Sequence, residues 1–176
     1  MRKLLHLTSS LFDAHGKQGV STQLSHELIA GLTAADASLQ VQARDFAQTP
    51  IPYLDNAWLG ALFTPAEERS EEQAQKVAFS DALIAELKAA DVLVLGVPTY
   101  NFSVPAMLRS WADHVARAGV TFKYTDKGSV GLAGAKSLEG LGEIVEGHHG
   151  DGLAALVLDH LGDLAGAPLL DAAELD

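Results

Sequence analysis

Residues 91–105 read Asp-Val-Leu-Val-Leu-Gly-Val-Pro-Thr-Tyr-Asn-Phe-Ser-Val-Pro, and no other stretch says as much about the fold. Five of its first seven residues are aliphatic, which is typical of a strand buried on both faces. Pro98 ends the predicted strand, because proline has no N–H to donate to a sheet. A loop with hydroxyl, amide and aromatic groups follows, and an amphipathic helix is predicted from near Ser103. Open α/β sheets bind ligands at the carboxyl ends of such strands, so we expect the functional site here.

The flanking segments alternate between strand and helix patterns. Residues 3–8 predict a first strand, and residues 39–44 predict a strand with one exposed face, as at a sheet edge. Ser21 or Thr22 can cap a first long helix, and a capping box opens a second one over residues 70–90. Strands alternating with helices predict an α/β fold with a mostly parallel sheet.

The rest of the chain gives weaker patterns. Residues 53–70 read as a long loop that is unusually apolar at Trp58, Leu59 and Leu62. Residues 154–164 favour a helix. At 176 residues, we expect a single domain spanning the whole chain.

Charge and composition exclude several function classes. The net charge of −11 argues against nucleic acid or an anionic membrane surface as a partner. The chain has no Cys, so disulfides, thiol nucleophiles and Cys-ligated metals are excluded. The first residues lack the apolar core and cleavage site of a secretory signal, and no apolar run approaches a membrane span. We expect a cytoplasmic protein.

Hydroxyl groups surround the first predicted strand–helix junction. Ser9, Ser10 and Ser21 lie where hydroxyls and the free N–H groups of a helix N-terminus can converge on a phosphate. The alternative interpretation is that a serine here only caps the helix.

The loop after the central strand offers a second ligand pattern. Tyr100 or Phe102 can supply a stacking surface for a flat heteroaromatic ring, and the Asn101 amide can bind the ring edge. The alternative is a tight turn at Asn101 with two core aromatics.

Other catalytic patterns are poor. His148 and His149 with Asp151 do not predict a metal site, because adjacent histidines rarely face one ion and no third ligand has recognisable spacing. No Ser-His-Asp arrangement or G-x-S-x-G motif is present. Any redox chemistry is therefore expected from a bound cofactor.

Several ordered segments resemble one family, the FMN-dependent NADH-azoreductases, which are flavodoxin-like quinone and azo reductases. The matching segments together lie within residues 1–134: 3–10, 48–55, 80–88, 98–102 and 116–125. The resemblance implies a flavodoxin-like three-layer sandwich and a homodimer. It also implies ping-pong transfer of two electrons from NAD(P)H through FMN to a quinone or azo compound.

The resemblance also assigns site residues. It implies an FMN phosphate held by Ser10, Ser21 and the backbone at Gly19 and Val20, with Gly19 standing where the family usually has another serine. The flavin loop of the family matches residues 99–102, and its usual Met is here Thr99. The flavin-binding residues implied in this loop are Thr99, Tyr100, Asn101 and Phe102. Tyr124 matches an aromatic residue beside the flavin and substrate cavity.

Residues 135–176 diverge from the family pattern. The family's buried strand and Ser/Gly-rich flavin loop are missing from residues 133–143. Either residues 140–145 form a poor substitute strand, or this region is rebuilt or disordered, which would leave the fold incomplete there. The functional alternative is a non-catalytic flavodoxin-like binding or interaction protein that has lost tight FMN binding.

Overall fold

The computed structural model describes residues 2–12, 19–126, 128–131 and 156–158. Within these ranges the strands are β1 (Lys3–Thr8), β2 (Gln40–Asp45), β3 (Val92–Gly96), β4 (Phe122–Thr125), β5 (Gly128–Gly131) and β6 (Leu156–Leu158). The α-helices are α1 (Val20–Ala35), α2 (Asn56–Phe63), α3 (Glu71–Ala89) and α4 (Ala106–Val115), with a 3-10 turn at Ala66–Glu68.

The main sheet has the strand order β2-β1-β3-β6. Strand β1 pairs in parallel with β2 on one side and with β3 on the other, so that Leu5 lies between Gln42 and Leu93. Strand β6 pairs antiparallel with β3, and β4 and β5 form a separate antiparallel hairpin. The predicted α/β fold with a mostly parallel sheet is confirmed.

Apolar side chains cover both faces of β1 and β3, which makes the sheet the middle of three layers. On one face Leu5 and Leu93 belong to a cluster with Leu83 of α3 and Trp111 of α4. The other face carries a smaller cluster, in which Leu4, Val92 and Val94 pack against Leu28, Ile29 and Leu32 of α1. This three-layer packing explains the continuous aliphatic run of β3, whose five residues are all buried.

The segment predicted as a loop over residues 53–70 contains the helix α2, so this prediction was wrong. Asp55 caps the helix by accepting a hydrogen bond from the Trp58 N–H at 2.9 Å. The Trp58 ring then packs edge-on against Phe79 and His114, with centroids 5.4 and 4.5 Å apart. Trp58 is therefore partly covered within the chain, because α2 packs against α3 and α4.

Helix starts were predicted with mixed success. The capping box of α3 is present, with Ser70 and Gln73 bonded to each other's backbone N–H groups. Helix α1 instead has Gly19 at its N-cap without a side-chain cap, so the capping role predicted for Ser21 or Thr22 was wrong. Both hydroxyls lie inside the first turn of the helix instead.

The described part of the C-terminal quarter is a strand. Residues 156–158 were expected to be helical, but their pairing with β3 makes them the strand β6. This pairing gives hydrogen-bond partners to one edge of β3, which a strand otherwise leaves open. The predicted substitute strand at 140–145 and the residues around His148 lie outside the described residues. Within the described ranges, no helix combines the length and apolar character needed to cross a bilayer.

Candidate functional site

The site lies where β1 and β3 end side by side. Ser9 follows β1, and both its backbone N–H and its hydroxyl donate to the carbonyl oxygen of Gly96, each at 3.3 Å. Ser9, the first residue after β1, is thus bonded to the end of β3. This is the carboxyl edge of the parallel sheet, where the sequence predicts a ligand.

Two buried hydroxyl groups at the start of α1 lack a partner. Ser21 and Thr22 are 4% and 3% exposed, and neither Ser21 Oγ nor Thr22 Oγ1 has a hydrogen-bond partner within the described structure. A buried polar group without a partner is rare in a folded protein and calls for an explanation. The first N–H groups of a helix also have no acceptor within it, and this first turn carries no acidic residue. The helix end therefore suits an anion such as a phosphate.

Gly19 allows the two sides of this anion site to approach closely. A Cβ atom at Gly19 would lie 2.2 Å from Ser10 Oγ and 3.0 Å from Ser10 Cβ, which is too close for both side chains to keep their places. Ser10 is buried, and its Oγ accepts a hydrogen bond from the Phe12 N–H at 3.3 Å. The Ser10 hydroxyl thus occupies the space that a side chain at position 19 would need.

The loop after β3 forms a tight two-residue turn. The backbone groups of Tyr100 and Ser103 exchange hydrogen bonds of 3.0 and 3.1 Å, while Asn101 and Phe102 have φ values of 52° and 61°. Positive φ at both central residues defines a type I′ turn, which favours Asn and Gly but is strained for a phenylalanine. The Phe102 side chain is fully exposed. A strained backbone that presents an exposed aromatic ring is typical of a binding site.

Tyr100 connects the two loops. Its phenolic oxygen accepts a hydrogen bond from the Leu11 N–H at 2.9 Å, and its ring lies 6.4 Å from the Phe12 ring. Leu11 and Phe12 are both more than half exposed, so apolar surface continues from one loop towards the other. The open alternatives for the stacking surface were Tyr100 and Phe102, and Phe102 is the ring that is free on all sides.

Tyr124, the predicted substrate contact, lies in β4 and is largely exposed. Its ring packs at right angles to that of Phe122, with centroids 5.3 Å apart. Among the described residues, no hydrogen bond or ring contact joins Tyr124 to the two loops at the carboxyl edge. The structure therefore brings together the predicted residues at 10, 19–21 and 99–102, and leaves Tyr124 on a separate hairpin.

His6 lies in the sheet beneath α1. It is buried, as the sequence suggests, and its Nε2 is 2.8 Å from Ser25 Oγ. Burial, with a smaller contribution from the nearby His26, lowers the pKa of His6 to about 4, so that its ring is neutral at physiological pH.

Three contributors were missed by the sequence analysis. Thr22 was considered only as a cap, although its hydroxyl is as buried and unpartnered as that of Ser21. Leu11 and Phe12 belong to no sequence motif. Their role depends on contacts with Tyr100, which lies 89 residues after Leu11 in the chain. The group of hydroxyl residues near the predicted start of the helix was the one sequence signal that could have pointed to Thr22.

Comparison with known proteins decides the family. Residues 2–138 match the protein family described as having a flavodoxin-like fold. The chain belongs to this flavodoxin-like family. A protein of Cellvibrio japonicus (strain Ueda107), named FMN-dependent NADH:quinone oxidoreductase, is 45% identical over 164 residues, which are 92% of this chain and 81% of that protein. The predicted membership of the flavodoxin-like quinone and azo reductases is confirmed.

Two further relatives agree with this assignment. A protein of the same name from Herminiimonas arsenicoxydans is 48% identical over 138 residues, covering 78% of this chain and 66% of that protein. The crystal structure of an azoreductase from Bacillus anthracis str. Sterne superposes with a TM-score of 0.69 at 32% identity, covering 78% of this chain and 66% of that one. The chain thus spans about two thirds of the length of these two relatives.

Proposed function

We propose that this chain is an FMN-dependent NAD(P)H oxidoreductase that reduces quinones or azo compounds by ping-pong transfer of two electrons. The names of its relatives support this activity, since the Cellvibrio and Herminiimonas proteins are called FMN-dependent NADH:quinone oxidoreductases. The observation that carries the proposal is the pair of unpartnered, buried hydroxyls at the start of α1, which fits the phosphate of FMN.

The phosphate end of the proposed site consists of Ser10, Gly19, Val20 and Ser21, and we add Thr22. The hydroxyls of Ser21 and Thr22 would donate to phosphate oxygens together with the free N–H groups of the first helical turn. Ser10 Oγ already accepts from the Phe12 N–H, which leaves its own proton available for an anion. Because the helix start carries no acidic residue, the partial positive charge of the helix end remains available.

The ring end of the proposed site is the loop of residues 99–102. Asn101 and the turn backbone offer hydrogen-bonding groups to the edge of a heteroaromatic ring, and Phe102 offers an exposed apolar face. Tyr100 keeps this turn at a fixed position relative to the phosphate end through its bond with Leu11. Thr99 is exposed next to the turn, and we propose that it contributes a backbone contact.

FMN held by residues 10, 19–22 and 99–102 would supply two-electron redox chemistry between NAD(P)H and a quinone or azo compound. The protein contributes binding, orientation and exclusion of water. We propose that Tyr124 contacts the substrate, since its ring is exposed and available for stacking.

We further propose a cytoplasmic homodimer in which the 176 residues of each chain form a single domain. Exposed apolar side chains on and before α2 support the dimer, namely those of Tyr53, Leu59 and Phe63, which are 72%, 44% and 80% exposed. Analytical ultracentrifugation tests it. Phe63→Glu should convert the dimer to monomer, whereas Val41→Glu, at an exposed apolar position on the edge strand β2, should not.

The visible spectrum tests the proposed activity. The purified protein, titrated with FMN, should show flavin absorbance at one equivalent per chain, and NADH should bleach it. Ser21→Ala should weaken FMN binding, because a phosphate contact is lost. Ser80→Ala serves as the matched control, since it removes an equally buried hydroxyl from α3 without touching the site. A colourless protein whose melting temperature FMN does not raise would instead favour the non-catalytic alternative.

A further inference from the structure

A chain of two hydrogen bonds runs from the centre of the sheet to the first turn of α1. His6 Nε2 lies 2.8 Å from Ser25 Oγ, and Ser25 Oγ donates to the carbonyl oxygen of Thr22 at 3.0 Å. The serine hydroxyl has a single proton, and that proton is used towards Thr22. In this network the hydroxyl accepts from the His6 ring, which assigns the His6 proton to Nε2.

This chain of bonds ends at the residue that carries one of the unpartnered hydroxyls. The Thr22 carbonyl accepts a hydrogen bond from Ser25, while Thr22 Oγ1 and the neighbouring Ser21 Oγ remain without a partner in the described structure. Ser25 is fully buried and lies one helical turn after Ser21. The network thus supports the anion-binding turn without occupying any of its donors.

The first turn of α1 packs closely against the end of β3. A Cβ atom at Gly96 would lie 2.9 Å from Ser25 Oγ and 3.2 Å from the Ser21 carbonyl oxygen. Helix α1 therefore lies close against the sheet backbone, and Ser25 contacts His6 two residues before the level of Gly96 in the sheet. An imidazole in a buried strand position is costly unless its N–H is satisfied, and Ser25 satisfies it.

We infer that His6 is a positioning residue for the cofactor phosphate, acting through Ser25 to hold the first turn of α1 in its anion-binding geometry. This inference rests on the proposed function. Removing the His6 ring takes away the second partner that holds the Ser25 side chain in place, so that the bond from Ser25 to the Thr22 carbonyl weakens and the first turn of α1 loosens. The phosphate then loses affinity, while the flavin ring, which the loop of residues 99–102 would hold, does not.

The ratio of riboflavin to FMN dissociation constants isolates this effect, because the two ligands differ only in the phosphate. Fluorescence titrations on the full chain should show this ratio falling about threefold to tenfold in His6→Leu and in Ser25→Ala, the range expected for one lost hydrogen bond. His6→Gln should keep most of the wild-type ratio, since the Gln amide places an N–H donor near the position of Nε2. The double variant His6→Leu with Ser25→Ala should fall no further than Ser25→Ala alone.

Ser80→Ala is the matched control, because Ser80 is a fully buried serine that also donates to a backbone carbonyl, that of His114 at 2.7 Å. It should lower the melting temperature while leaving the ratio within about twofold of the wild type.

If the wild type binds FMN no better than riboflavin, the proposed phosphate site itself is wrong. If the wild type prefers FMN and the His6 and Ser25 variants keep that preference, only the positioning role is wrong. Should His6→Leu fail to fold, Ser25→Ala and His6→Gln decide the matter.

Discussion

Replacing Phe102 with glycine should make the protein more stable while weakening its proposed cofactor site. Phe102 has a φ of 61°, a conformation that costs a non-glycine residue about 1–2 kcal/mol. Its side chain is fully exposed, so its removal takes away no packing. Glycine offsets part of this gain, because its greater conformational entropy in the unfolded chain lowers stability by about 0.5–1 kcal/mol. The net stabilisation of Phe102→Gly should be about 1 kcal/mol, which raises the melting temperature of a chain of this size by about 2–4 °C.

Phe102→Ala is the control that separates backbone strain from the aromatic ring. Alanine also removes the ring but keeps a Cβ atom, so it retains the strain of the positive φ. Thermal melts of the cofactor-free protein should therefore rank Phe102→Gly above both Phe102→Ala and the wild type. FMN titrations should show weaker binding in both variants, because both lose the exposed ring. Equal melting temperatures for the Gly and Ala variants would refute the strain argument, and unchanged FMN affinity in both would refute the role of the ring.

Three further changes test the rest of the site. Gly19→Ser should destabilise the protein by about 1–3 kcal/mol through its clash with Ser10, and adding Ser10→Gly should recover most of this loss in urea denaturation. His6 has a folded-state pKa of about 4 against 6.5 in the unfolded chain, so the unfolded state binds more protons between these values. The stability that depends on neutral His6 is complete above pH 6.5 and is lost as the pH falls, by about 2–3 kcal/mol at pH 4.5. His6→Leu should remove this pH dependence from the free energy of unfolding measured in urea. Tyr100→Phe should speed hydrogen exchange at the Leu11 amide and weaken FMN binding, with little loss of stability because that amide is exposed to water.

Local signals predicted most of the sheet and its long helices. The strands β1 and β3 were predicted within a residue of their bounds, because each is a short and mostly aliphatic run, and Pro98 marks the end of β3. Helix α3 was predicted from its capping box, which depends on two residues three positions apart. These elements are encoded by neighbouring residues, which is why one sequence suffices.

The elements that were mispredicted depend on distant parts of the chain. Helix α2 has only eight residues, too few to display a helical period, and it is stabilised by the packing of Trp58 against Phe79 and His114. Strand β6 has three residues and exists as a strand through its pairing with β3. Such non-local contacts leave no periodic pattern in the segment itself, so tertiary structure overrides the local preference.

The distinction between local and non-local signals applies to the candidate site as well, which includes the loop at the end of residues 91–105. Its hydroxyl and aromatic residues were predictable by type, but their assembly was not. The two loops meet through the bond between Ser9 and Gly96 and the bond between Leu11 and Tyr100, each joining residues almost ninety positions apart. Both bonds follow from one fact, the parallel pairing of β1 with β3, which brings the ends of the two strands to the same edge. A change at the end of β3 should therefore displace the phosphate end and the ring end of the site together.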